Sequence, residues 1–247
     1  MSIENSSELV CLEVAGRYLH LKYLAVVRCI RLKSVCLSAP NLSTFNCVGA
    51  KVSIAFLNVP KLAQVCICGT YLSAIGPAIS CLAEYASPLE TLVLDVRRTD
   101  NNIQLHKFPV LARVKRLKLI VAARENQSRL VFSPLIVACP NIYKLELEIG
   151  RWASTIASRA QAFPEFTLEC LKVVEFVGFA GHTNDVELVS YLIKIAVNLE
   201  KMIIVPHGPS SITSWWNHGD ENNLRIARAL AKQLQDRFSL GDKLVLA

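Results

Sequence analysis

The 247-residue sequence predicts an α/β repeat fold: a curved solenoid of short parallel strands, with turns and then helices on its convex side. Three observations lead there. The pattern apolar-x-x-apolar-x-apolar recurs nine times. From its fourth occurrence it returns every 25 to 29 residues. A composition that is 52% hydrophobic and only 19% charged supplies apolar side chains for a core along most of the chain.

Residues 1–17 are expected to be a short N-terminal lead. The motif then runs as Leu21-Leu24-Val26, Leu32-Val35-Leu37, Leu42-Phe45-Cys47, Leu62-Val65-Ile67, Leu89-Leu92-Leu94, Val114-Leu117-Leu119, Ile142-Leu145-Leu147, Leu171-Val174-Phe176 and Leu199-Met202-Ile204. In an extended chain alternate side chains face opposite sides, so the fourth and sixth positions point inward together while the third, fifth and seventh point out. One such strand cannot bury its apolar face alone; stacked neighbours share a continuous core. The later spacing matches the period of about 20–29 residues of leucine-rich repeats. The first starts lie 11, 10 and 20 residues apart, too close for helices, so residues 21–70 are expected as strand–turn–strand coils, with Ser53-Ile54-Ala55-Phe56 an extra rung. The repeats as a whole occupy 18–170, with a distinct C-terminal part at 171–247.

Helices are expected where spacing gives room. Residues 72–86 suit one, with Pro77 marking a start or kink. Asn184-Asp185-Val186-Glu187 reads as a cap before a stripe of Leu188, Val189, Leu192, Ile193 and Ala196. A last helix over 221–237, capped by Asp220, places Leu224, Ala227, Leu230, Ala231 and Leu234 on one face and Arg225, Arg228 and Lys232 on the other. It is the terminal cap that repeat arrays need.

Chemistry is sparse. There is no phosphate-cradling glycine loop and no G-x-S-x-G elbow, so no enzyme and no cofactor are expected. Nine scattered cysteines read as reduced thiols. Cys66-Ile67-Cys68 puts two of them on one strand face, but no second Cys or His pair stands at zinc spacing, and no metal is expected. The histidines form no H-x-x-x-H pair. The start carries no secretory pattern, Pro60, Lys61, Gln64, Pro77 and Glu84 interrupt the most apolar stretch, and the expectation is a cytoplasmic or nuclear protein off the membrane. The sequons at Asn5, Asn41 and Asn126 are then left unmodified. The net charge of +7 is dispersed, so nucleic acid is not the expected partner.

Several phrases go beyond a generic repeat: RLKSVCLSAPNLSTFNCVGA at 31–50, VPKLAQVCICG at 59–69, SPLETLVLDV at 87–96 and CPNIYKLELEI at 139–149. These resemble plant F-box proteins with leucine-rich repeats. LKVVEFVGFAGHTNDVELVSYLIKIAVNLEKMIIVPHG at 171–208, continuing into RIARALAKQLQDR at 225–237, is similar to the FBD-type C-terminal segment of that family. The resemblance implies that the repeats capture a protein substrate for a cullin ubiquitin ligase, to which the family's F-box docks through a Skp-type adaptor. Nothing before Tyr18 reads as an F-box, so the adaptor is not an expected partner here. An array starting at Leu21 would also leave the apolar edge of its first rung open, and self-association through it is expected.

The partner-binding candidates are the charged outward positions of the later rungs: Arg116 and Lys118, then Lys144, Glu146 and Glu148, then Glu175. Arg97 and Arg98 join them where the Leu89 rung runs into a polar loop, and Trp215-Trp216 is either a contact point or a core plug. A basic patch beside an acidic one would orient a partner; an internal Lys118–Glu146 pair between rungs is the alternative. A small-molecule sensor, needing an apolar cavity ringed by polar groups, is the competing function.

Overall fold

Motif residues become strands because their apolar positions alternate, and alternation satisfies only a chain whose successive side chains point to opposite faces. The computed structural model describes residues 1–49, 52–69, 72–95, 108–123, 132–151, 166–206 and 221–247. They fall in two units, Met1–Leu117 with Ala138–Pro140, and Lys118–Val137 with Asn141–Ala247.

In the first unit, β1 (Ser2–Glu4), β3 (Tyr23–Val27), β5 (Thr44–Val48), β7 (Gln64–Cys68) and β8 (Thr91–Asp95) form a parallel sheet in that order. Motif positions stay in register from strand to strand: Leu24 beside Phe45, Phe45 beside Val65, Val65 beside Leu92. A second parallel sheet holds β2 (Cys11–Ala15), β4 (Ser34–Ser38) and β6 (Ser53–Asn58). Phe45 and Phe56, one from each sheet, meet edge to face at 5.7 Å, a geometry that adds to the value of burying both rings. The early coils are thus strand–turn–strand, and the described part of residues 21–70 contains no helix.

Two expectations change here. The Leu32 motif does not share a sheet with its neighbours, and Ser34, Cys36 and Ser38 therefore do not stand on the same face as Tyr23 or Asn46. Parallel neighbours in one sheet need a crossover of roughly a dozen residues; the stretch between Val27 and Ser34 is half that, long enough only to reach the opposite layer. Residues 1–17, expected as a lead, carry β1 and β2, which pair with β3 and β4. The edge of the Leu21 rung is covered by β1, which removes the premise for self-association through it.

After β7 the spacing lengthens to 27 residues, and α1 (Leu72–Tyr85) packs against β6, taking the next place in the second layer. Pro77 lies inside this helix, where it gives up one backbone hydrogen bond.

In the second unit the strand order is β9 (Arg116–Ala123, its first two residues belonging to the first unit), β10 (Lys144–Arg151), β11 (Val173–Val177), β12 (Lys201–Val205) and β13 (Leu244–Leu246), with β10 to β13 parallel. Leu145, Val174, Met202 and Leu244 are in register, as are Leu147, Phe176, Ile204 and Leu246. The motif members of both sets are buried. β13 follows no apolar-x-x-apolar-x-apolar motif and was not expected.

Among the described residues three α-helices accompany these strands: α2 (Ser133–Val137), α3 (Thr183–Ile195) and α4 (Glu221–Arg237). α3 starts earlier than the expected cap. His182 is its N-cap residue, and the buried Asp185 carboxylate accepts hydrogen bonds from the backbone N–H of Ala180 and His182, at 3.1 and 3.3 Å. Its inner face is Leu188, Val189, Leu192 and Ile195, with Ile193 only half-buried. α4 spans the expected residues, burying Ala227, Ala231 and Leu234 and exposing Arg225, Arg228 and Lys232. Asp220, Trp215 and Trp216 lie outside the described residues.

One further regularity positions the strands. The carbonyls of Ala39, Val59, Ala86, Leu111, Leu168 and Ala196 accept hydrogen bonds from the amides of Leu42, Leu62, Leu89, Val114, Leu171 and Leu199. Each closes a turn between a buried residue three places upstream and the first motif position. The working unit is nine residues long, with an extra apolar position at its front.

Candidate interaction surface

The outward positions of β9 to β11 in the second unit carry Lys118, Lys144, Glu146, Glu148 and Glu175, and the structure joins them in two groups. Lys144 Nζ lies 2.8 Å from Glu146 Oε1 on its own strand and 3.1 Å from Glu175 Oε2 on the next. Lys118 Nζ lies 3.2 Å from Glu148 Oε2. Lys118 therefore pairs with Glu148, not with Glu146.

The pairing follows a diagonal. Glu146 stands directly opposite Glu175, a like-charge juxtaposition that would be unfavourable alone. Lys144 relieves it by reaching two positions further along the next strand, and Lys118, at the fifth position of its motif, reaches Glu148 at the seventh position of the next. Straight-across pairing occurs instead at motif position two, where Glu90 meets Lys115 at 3.2 Å and Glu200 meets Lys172 at 2.6 Å. Those pairs are well exposed and worth little to stability.

Burial grades the cluster. Glu148 is nearly enclosed, at 8% exposure, while Lys144, Glu146 and Glu175 are half-buried. The Glu146 carboxylate holds the Lys144 ammonium above the usual lysine range; burial opposes this and Glu175 adds to it. Beyond the charges, the same face continues as Val173, Val177, Ile203 and Val205, all half-buried. It presents a fixed charged centre with an apolar flank, an arrangement suited to a protein surface.

Arg116 is exposed on the part of β9 that belongs to the first unit, and Arg97 and Arg98 lie outside the described residues. The outward face of the first sheet is mostly uncharged, with Tyr23, Asn46, Cys66, Cys68 and Val93, but carries the exposed Glu4 on β1 and the buried Asp95 at the end of β8, whose carboxylate accepts from the Gly69 N–H at 3.3 Å; Asn46 donates to the Tyr23 hydroxyl at 3.3 Å. Asn41, in one of the sequons, donates to the Leu19 carbonyl at 2.8 Å and accepts from Lys61. Among the described residues no group of three or more His, Cys, Asp or Glu is placed to hold a metal ion, and no helix is long and apolar enough to cross a membrane.

The diagonal partner of Lys118 and the capping carboxylate of Asp185 escaped the sequence reading. The first needs the lean of side chains between parallel strands. The second had a signal, Asp three residues after His182, but histidine is not a usual capping residue.

A family model described as At1g61320/AtMIF1, LRR domain, matches residues 1–212. Comparison with curated proteins and with solved structures returns no match.

Proposed function

The chain belongs to the At1g61320/AtMIF1 leucine-rich-repeat domain family, and from that premise we propose that it is a non-catalytic recognition module whose partner, a protein, docks on the outward face of β9 to β11. A repeat domain of this family suggests protein binding. The choice of surface is supported by the two groups of ion pairs on its consecutive strands.

The supporting argument is energetic. Partly exposed ion pairs add at most about 1 kcal/mol each to stability, so five ionised side chains on three neighbouring strands are a poor investment for folding alone. They do restrain one another, so a partner meets side chains already held in position and loses less entropy in binding them. Their alternating signs favour one orientation of that partner.

The likeness of residues 171–208 and 225–237 to the FBD-type segment supports a finer reading, in which the chain is the substrate-recognition arm of a ubiquitin-ligase receptor type, working in cytoplasm or nucleus.

Affinity capture tests the proposal with three baits: the unaltered chain, the outward-face variant Lys144→Ala/Glu146→Ala/Glu175→Ala, and the α4 variant Arg228→Ala/Lys232→Ala. Proteins captured by the unaltered chain should fall about tenfold or more with the first variant, a change of roughly 1.4 kcal/mol in binding, and stay level with the second. Equal recovery by all three baits rejects the outward face of β9 to β11 as the docking surface.

A further inference from the structure

Cys66 and Cys68 stand two residues apart on β7, so both side chains leave the same outward face of the first sheet. Their sulfurs lie 3.5 Å apart and both residues are half-buried, close enough to react with each other and open enough to meet a small molecule. In register beside them are Asn46 and Val48 on β5 and Val93 on β8. One carboxylate stands near the pair: Asp95, next after Leu94 on β8, accepts from the Gly69 N–H at 3.3 Å, so Cys66, in register with the uncharged Asn46 and Val93, is the better placed of the two to act as the attacking thiolate. Elsewhere the thiols of Cys47 and Cys139 are enclosed, and burial pushes each up to about 12. They stay protonated and poor nucleophiles at neutral pH.

We infer that Cys66 and Cys68 form a reversible disulfide site, closed by hydrogen peroxide and reopened by a small thiol such as glutathione. One cysteine, as thiolate, attacks the O–O bond; its sulfur is oxidised to a sulfenic acid and hydroxide leaves. The second thiolate then attacks that sulfur, the S–S bond forms and a second hydroxide leaves. With the two thiol protons these make two waters, so the balance is two thiols and one peroxide to one disulfide and two waters.

The geometry makes the bond labile. An extended strand advances about 3.3 Å per residue, which sets the two α-carbons about 6.6 Å apart, near the upper end of the span a disulfide tolerates. Closing the sulfurs to about 2.05 Å crimps β7, and a strained disulfide is reduced more readily than a structural one. This arrangement suits a bond that is made and broken, not one that holds the fold.

The test treats the full chain, first reduced, with hydrogen peroxide, then alkylates the remaining thiols and digests with trypsin. The peptide from Leu62 to Arg97, which also contains Cys81, should lose two hydrogens, with fragment ions placing its single alkyl group on Cys81. Glutathione should restore three alkylatable thiols. Cys66→Ser and Cys68→Ser should each abolish the loss, the remaining thiol of the pair being trapped as sulfenic acid by dimedone. A peptide that keeps both hydrogens, or a loss that persists in either variant because Cys81 takes part, overturns the inference.

Discussion

Single residues in the second unit show how little freedom the repeat allows. Phe176, at the sixth motif position of β11, is fully buried and meets Phe179 edge to face at 5.7 Å. Phe176→Ala should cost about 3–5 kcal/mol, read from urea unfolding as a lowered midpoint. Gly178 follows immediately in the left-handed region, at φ +88°, and a Cβ there would stand 2.3 Å from the Ile149 carbonyl oxygen. Gly241 also has a positive φ but open space around it. Gly178→Ala should therefore destabilise by roughly 2 kcal/mol or more, and Gly241→Ala by about 1 kcal/mol, the cost of conformation alone. Similar losses in the two variants would contradict the close contact. Lys144 supplies the pH dependence. Its ammonium is held above the ordinary lysine value mainly by Glu146, so its contribution is complete below the unfolded lysine pKa of about 10.4 and is lost as pH rises through the higher folded value. Stability of the unaltered chain should fall in that alkaline window more steeply than that of Lys144→Met, as thermal melts across pH would show.

At the scale of elements, the α3 cap is the clearest case of a short polar device fixing a long apolar one. Asp185→Ala removes the acceptor for two backbone N–H groups near the helix start and should cost about 1–2 kcal/mol. Asp185→Asn, which keeps one carbonyl oxygen, should lose less. An equal loss in the two variants, measured by chemical unfolding, would argue against the cap.

Strand cores were legible from sequence because their signal is local: positions four and six of each motif, from Leu24 and Val26 to Met202 and Ile204, are buried as alternation demands. The extent of α4 was legible for the same reason. Which sheet a strand joins was not, because it depends on the length of connection between strands. Hence Leu32 was placed beside Leu21 and Leu42 although its connection reaches only the opposite layer. β1, β2 and β13 carry few or no motif residues and owe their strand form to the neighbours they pair with. At the surface, the charged positions were legible but their pairing was not: Lys118 and Glu148 meet only through the diagonal step between strands.

Across the described strands the inward motif positions build the core, and under the proposed docking the outward ones of β9 to β11 meet a partner. Removing the more exposed outward charges should then leave folding nearly intact: Lys144→Ala/Glu146→Ala/Glu175→Ala, which spares the Lys118 partner of the enclosed Glu148, should change stability by about 1–2 kcal/mol, less than Phe176→Ala, while binding suffers. The measurement that reaches this claim most directly is amine-reactive labelling of the lysines with and without a captured partner. Labelling of Lys118 and Lys144 should drop several-fold on binding while Lys232 on α4 reacts as before. Undiminished labelling of Lys118 and Lys144 in the bound state would contradict docking on the outward face of β9 to β11.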